Sequence, residues 1–272
     1  MAITDGIRNA IVTGAGSGIG CATAALLLRK GWRVALADVN EPAIRSLAAS
    51  HGDGALALPG DITDPDSVEA MMSAITACWN SRLDLLVNCA GVLWSGDFEG
   101  QTPDNMTRIL AVNNAGIAHC TRAAFPLLRR CADMGGQPAV VNLSSASAAF
   151  GIPSLAIYSA SKFWVRGFTE ALAVEWARHG IAVRDVMPPF VNTPMVHNGL
   201  QANRFHQRMG SDVTPEEVAE QVYAAYVGGP VHRLVSAQFK AIMCLARFIP
   251  DALVRACLAV VGGYSRRSKA HG

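Results

Sequence analysis

Short apolar runs of about five residues alternate along this chain with longer stretches whose apolar positions recur at three- and four-residue spacing. Residues 9–13, 33–37, 54–59, 83–87, 139–143 and 181–187 are the short runs, and 232–236 is the seventh. They are rich in β-branched residues and carry few charges, as strands covered on both faces do. Between them, residues 21–30, 41–51, 65–80, 104–132 and 155–179 read as helices, the third opened by Pro65. No linker and no internal repeat interrupts the alternation. Strands that alternate with helices imply an α/β fold: a doubly wound parallel sheet of about seven strands with helices on both faces. Right-handed crossovers then bring ligands to the carboxyl ends of the strands.

Three of those strand ends carry chemistry. The first strand runs into Gly14-Ala15-Gly16-Ser17-Gly18-Ile19-Gly20 and then a helix. Glycines in that setting let the backbone approach a pyrophosphate, and the helix start offers unpaired N–H groups. The second strand ends at Asp38, where a carboxylate can accept both hydroxyls of an adenosine ribose. Farther along, Tyr158 and Lys162 stand at i and i+4 of a helix, so they share a face. Alone such a pair is an ordinary surface contact. Next to Ser145, at the end of the fifth strand, it becomes a possible acid/base unit. The ammonium is expected to lower the phenol from about 10 toward neutrality.

Together these segments resemble the short-chain dehydrogenase/reductase family over about residues 7 to 236. Its TGxxxGxG pattern matches Thr13 to Gly20, and its Asn-Asn-Ala-Gly segment matches Asn88-Cys89-Ala90-Gly91, with Cys89 in place of the second asparagine. Asn113 falls at the family's central-helix asparagine, and Ser145, Tyr158 and Lys162 at its catalytic serine, tyrosine and lysine. After the sixth strand Pro188-Pro189-Phe190-Val191-Asn192-Thr193 replaces the family's glycine with Pro189. The resemblance implies a Rossmann-like fold and hydride transfer between a nicotinamide dinucleotide and an alcohol or ketone. It assigns cofactor binding to Gly14, Ser17, Gly18, Ile19, Gly20, Asp38, Asp61 with Ile62, Asn88, Ala90, Gly91, Tyr158, Lys162, Val191 and Thr193. Tyr158 would take the alcohol proton, Lys162 would hold the nicotinamide ribose, Ser145 would steady the substrate oxygen, and Asn113 would position a relaying water.

Composition narrows the rest. With 272 residues and a net charge of +2, one α/β domain (1–237) with a C-terminal extension (238–272) is expected, and nothing points to nucleic acid. The chain has four lysines against nineteen arginines, which sharpens interest in Lys162. Seven cysteines show no CxxC pair and no histidines at zinc spacing, so no metal is expected and reduced thiols in a cytoplasmic setting are. No run is long enough to span a membrane. Asp38 would repel a 2′-phosphate, and Ser17 and Val39 occupy places where a cation could compensate, so NAD is the expected cofactor.

Substrate signals are weaker. Residues 194–212 read as an irregular covering loop in which His197 and His206 pack rather than catalyse. Leu93, Trp94, Phe150, Ile152 and Leu155 are candidate pocket residues. The segment 238–263, broken at Pro250, mixes large apolar residues with arginines ahead of a polar tail. A lid, a contact in a homodimer or homotetramer, or peripheral membrane contact all suit that pattern. The expected substrate is a hydrophobic secondary alcohol: steroid-like, long-chain or aromatic. A 3-oxoacyl thioester reductase and a catalytically idle NAD-binding regulator are the alternatives.

Overall fold

The computed structural model describes residues 6–79, 81–200, 203–210, 213–236, 239–241 and 249–264. Seven parallel strands form one sheet in the order β3-β2-β1-β4-β5-β6-β7. They are β1 (Asn9–Thr13), β2 (Arg33–Asp38), β3 (Ala55–Pro59), β4 (Leu85–Asn88), β5 (Ala139–Leu143), β6 (Ala182–Met187) and β7 (His232–Leu234). The order reverses between β1 and β4, so a crevice opens there beyond the strand ends.

Side-chain alternation divides the core into two layers. Ala10, Val12, Val34, Leu36, Leu85 and Val87 face α1 (Gly18–Arg29), α2 (Glu41–His51) and, farther along the chain, Pro215–Val227. Ile11, Ala35, Leu86 and Val140 face α3 (Pro65–Cys78) and the long helical region after residue 103. Both faces of the central strands are dry, which explains why β1, β4 and β5 read as near-continuous apolar runs, whereas the edge strand β7 is half-buried and polar.

Caps set several helix starts. Asn40, Asp64 and Thr102 each accept a backbone N–H from the first turn, and a proline follows each within two residues. Asn40 is therefore the cap of α2. The region expected as one helix over 104–132 is α4 (Pro103–Leu110), a π-helical turn over Ala111–Gly116 and α5 (Ile117–Asp133). Next comes α6 (Ala156–Glu175), which carries Tyr158 and Lys162.

The segment expected to be irregular after residue 193 instead holds two short helices, α7 (Pro194–Gly199) and α8 (Arg204–Met209). Thr193 and Asn203 cap them, a local signal that short apolar periodicity does not reveal. Pro215–Val227 is α9, opened by a reciprocal Thr214–Glu217 capping box. Beyond Pro250 the chain forms α10 (Asp251–Gly262). Leu245, Phe248 and the polar tail from Ser265 lie outside the described residues. Among the described residues no helix is long and apolar enough to cross a membrane.

Candidate active site

At the β1–α1 turn the backbone comes close to the β4 end. Gly14 has φ +70°, and a Cβ there would stand 2.8 Å from the Ala90 Cα. At Gly20 it would stand 2.0 Å from the Gly14 carbonyl oxygen. Only glycine lets this turn and the first turn of α1 pack so tightly. Thr13 fixes the neighbouring strand end, its Oγ1 accepting from the Cys89 and Ala90 amides at 3.0 and 3.1 Å. Ser17 at the start of α1 makes no side-chain cap bond, and the first turn carries no acid, so the amides there are free for an anion.

Asp38 accepts from the Gly16 amide through Oδ2 and from the Asn40 amide through Oδ1, both at 2.8 Å. Each oxygen keeps a lone pair for a ribose hydroxyl. A cleft of about 460 Å³ runs from Asp38 past Gly14, Ser17 and Gly18 to Asp61, Ile62, Ala90 and Gly91, and on to Thr193. These groups fit a dinucleotide: a glycine cradle for phosphates and a carboxylate for a ribose. Asn88 stands apart from the cleft wall. Its Nδ2 donates to Thr121 Oγ1 and Asn142 Oδ1 inside the sheet, which makes it a support of the β4 end.

The cleft also contains Arg108, a residue that sequence reasoning passed over. It lies one turn before Ala111 and Val112, which line the same wall, and it forms no ion pair among the described residues. The sequence around it gives no local sign of the cleft, because an exposed arginine on a helix face is ordinary.

Deeper in, the Tyr158 phenol hydrogen-bonds with Ser145. Lys162 Nζ lies 5.6 Å from the Tyr158 ring centre and donates to the Leu143 carbonyl at 2.8 Å. Ser145 Oγ in turn accepts from the Ser147 amide at 3.2 Å. The middle of the Tyr-Ser-Ala-Ser-Lys run anchors the helix. Ser159 Oγ accepts from the Ile152 amide, and Ser161 Oγ donates to the Tyr158 carbonyl.

Electrostatics overturn one expectation. Burial pushes the Tyr158 phenol up to about 12, with the Ser145 bond acting the other way. Burial brings the Lys162 ammonium down to about 8. The lysine therefore does not lower the tyrosine here. Desolvation disfavours both charged forms, and the ammonium is spent on the Leu143 carbonyl.

Asn113 is fully buried inside the π-helical turn. Its Oδ1 accepts from the Val92 amide at 2.8 Å, while Nδ2 donates to the Val92 carbonyl and to Ser161 Oγ. The side chain thus ties the segment after β4 to α6 at the Tyr158 turn. With its amide so occupied, Asn113 positions the site through these bonds.

Around Tyr158 lies a mostly apolar cavity of about 90 Å³. Leu93, Ile152 and Leu155 line it, as does Pro189, and Leu200 closes the far side. Trp94 and Phe150 do not line it; Trp94 folds over Gly96 instead. His197 bonds to Asn192 and His206 packs edge-on against Phe190, so both act in loop packing. Cys89 borders both cavities, and burial holds its thiol up at about 12. Cys120 and Cys131 are core residues, whereas Cys78 and Cys257 are exposed. Among the described residues no cluster could hold a metal ion.

The short chain dehydrogenase family profile matches residues 8–204. The chain belongs to the short-chain dehydrogenase family. It is 35% identical over 271 residues to cis-4-hydroxycyclohexanecarboxylate dehydrogenase of Sinomonas cyclohexanicum, covering 95% of this chain and 96% of that protein. Among solved structures it resembles the 3-ketoacyl-(acyl-carrier-protein) reductase from Brucella melitensis complexed with NADH, with TM-score 0.77 and 31% identity. That match covers 84% of this chain and 96% of the other. A short chain dehydrogenase/reductase from Burkholderia phymatum in complex with NAD matches with TM-score 0.79 and 25% identity, over 88% of this chain and 92% of that one.

Proposed function

We propose that this short-chain dehydrogenase interconverts a hydrophobic secondary alcohol and its ketone with NAD as hydride carrier. The observation that carries the reading is the Ser145–Tyr158–Lys162 cluster at the floor of an apolar cavity that adjoins the glycine-lined cleft. When bound, the dinucleotide supplies the hydride acceptor and, in oxidised form, a positive ring charge.

The protein's residues do the rest. Gly14 to Gly20 and the start of α1 hold the pyrophosphate, with Ile19 against the ring end. Asp38 holds the adenosine ribose, Asp61 and Ile62 border the adenine, and Ala90, Gly91, Val191 and Thr193 flank the nicotinamide end. Arg108 adds the cation that a dianionic ligand favours. Ser145 donates to the substrate oxygen, and Tyr158 takes the hydroxyl proton as general base. Lys162 steadies the nicotinamide ribose, and Asn113 keeps α6 in place. A base with a pKa near 12 needs a nearby positive charge, and the occupied site provides one.

Asp38 supports NAD over NADP, because its two oxygens suit hydroxyls and repel a phosphate. The related hydroxycyclohexanecarboxylate dehydrogenase supports a cyclic alcohol. The related ketoacyl reductase was crystallised with NADH, so cofactor choice alone does not separate the thioester-reductase reading. The apolar lining and compact cavity favour a small alcohol.

Exposed Phe163 and Trp164 on α6, with Trp164 stacked on Phe168, support a homodimer or homotetramer. The outward Leu253 and Val260 of α10 are the surface on which a peripheral membrane contact would rest. Incubating the purified protein with NAD and with NADP across short, cyclic and aromatic secondary alcohols tests the reading. Turnover with NAD and at least one apolar alcohol is expected; turnover with NADP alone, or with 3-oxoacyl thioesters alone, would replace it.

A further inference from the structure

Tyr264 sits just past α10, far in sequence from every catalytic residue. The helix ends in a Schellman turn: the Gly263 amide donates to the Val260 carbonyl at 3.2 Å, and the Tyr264 amide to Ala259 at 2.7 Å. Gly263, with φ +77°, permits that reversal and aims Tyr264 back over the protein. Its phenol bonds to Ser154 Oγ at 2.9 Å and donates to the Asp97 carboxylate.

Those two partners do not line the substrate cavity themselves but stand next to residues that form two of its lips. Asp97 follows Leu93 on one lip, and Ser154 lies between Ile152 and Leu155 on the other. The lips already touch through the Gly96 amide and the Ser154 carbonyl at 3.0 Å. Ser154 is one of two non-glycine residues among those described with positive φ, at +67°. Such a backbone persists where its surroundings hold it.

A third tie comes from α8, where Arg208 donates to the carbonyls of Val260 and Val261, the latter at 2.8 Å. Asn203 closes the ring by donating to Ser95 Oγ at 2.9 Å. The helix thus spans three segments of the rim. Its inner face packs through half-buried Val254, Leu258 and Val261 and buried Gly262, which lies against Pro153. Leu253 and Val260 face outward at 57% and 65% exposure, so the polar bonds at its C-terminal end are exposed.

We infer that Tyr264 is a latch that fastens α10 across the mouth of the substrate cavity and thereby limits the size of the alcohol admitted. The cavity supports this: about 90 Å³ is well short of the ~150 Å³ that an engineered apolar cavity gives a benzene ring. A ring-bearing alcohol therefore enters only as the lips part, whereas a three-carbon alcohol needs no such movement. The inference deepens the proposed alcohol oxidation and rests on it for its kinetic readout.

Tyr264→Phe keeps the ring and removes the hydroxyl. Ser154→Gly removes the other hydroxyl at a position whose backbone suits glycine. In each variant kcat/KM for 1-phenylethanol, relative to propan-2-ol, is expected to rise about three- to tenfold, the scale of one or two exposed hydrogen bonds. NAD affinity stays the same. Amide hydrogen exchange in 94–98 and 152–156 is expected to quicken in both variants, and this readout needs no substrate. An unchanged alcohol ratio overturns the size-limiting role, and unchanged exchange overturns the latch. Failure of the wild type on every alcohol, with exchange still quickened, would instead strike the proposed reaction and leave the latch standing.

Discussion

The wall of the cleft made by β1, α1 and β2 is held by main chain, while the wall beyond β5 and β6 is held by side chains that meet from distant stretches. On the first wall Gly14, Gly20 and Asp38 act through backbone approach and backbone amides, within thirty residues of one another. On the second, Asn113 reaches Val92 and Ser161, Asn203 reaches Ser95, and Tyr264 reaches Asp97 and Ser154. A wall of main chain accepts one kind of ligand and tolerates little change. A wall of side-chain ties can be retuned residue by residue, which suits the part that chooses a substrate.

The largest expected effect breaks the chemistry and spares the first wall. Tyr158→Phe retains the partly buried ring but has no ionisable oxygen, so turnover falls by about 10²-fold or more while NAD still binds. Steady-state rates and titration of NAD fluorescence quenching measure the two separately. Near-normal turnover would remove Tyr158 from the mechanism.

Next in size is the tie between the walls. Asn113→Ala leaves the part-buried Val92 amide and carbonyl without their side-chain partner, at a cost of up to about 1–3 kcal/mol for each group that water cannot reach. The melting temperature falls, and kcat falls more than the KM for alcohol rises, because α6 loses its register against the π-helical turn. A variant that melts like the wild type would show that these bonds are replaced by water.

A change confined to the first wall is expected to move cofactor choice alone. Asp38→Ser with Val39→Arg removes a repulsion and adds a phosphate partner, which shifts the NAD:NADP preference by about tenfold or more toward NADP. The ratio of kcat/KM for two alcohols stays as it was. A shift in alcohol preference would show that the two walls are coupled.

The smallest effect is a slope. Lys162 has its folded pKa lowered to about 8 from the ordinary 10.5, so the unfolded chain binds more protons between those values. Stability therefore gains with rising pH across that window. Tyr158, raised from 10.0 to about 12, acts oppositely above pH 10. Compared with Lys162→Met, the wild type without added NAD should gain melting temperature between about pH 8 and 10. Parallel curves for the two proteins would mean that the ammonium is better solvated than its burial implies.

Sequence reading succeeded where short-range rules govern and thinned where they do not. The strand-turn-helix at Thr13 to Gly20 and the Tyr158–Lys162 spacing each need only local geometry. The supposed lowering of Tyr158 failed because the i, i+4 rule describes a solvated helix face, whereas here Lys162 is buried and desolvation is the largest influence on Tyr158. Arg108 escaped notice since nothing local tells an exposed arginine that a cleft lies beside it. The helices α7 and α8 were missed because six residues give too little periodicity to read.

By itself, then, the sequence determined the doubly wound sheet, the family, the tight glycine turn after β1 and the shared helix face of Tyr158 and Lys162. Period-two and period-3.6 patterns and fixed spacings are properties of the local chain. Only the tertiary structure decided that Asn113 spends its amide on Val92 and Ser161. It alone set the pKa of Tyr158 and folded α10 back so that Tyr264 bridges Asp97 and Ser154. Those outcomes depend on desolvation and on contacts between residues as many as 167 positions apart, which no local pattern encodes.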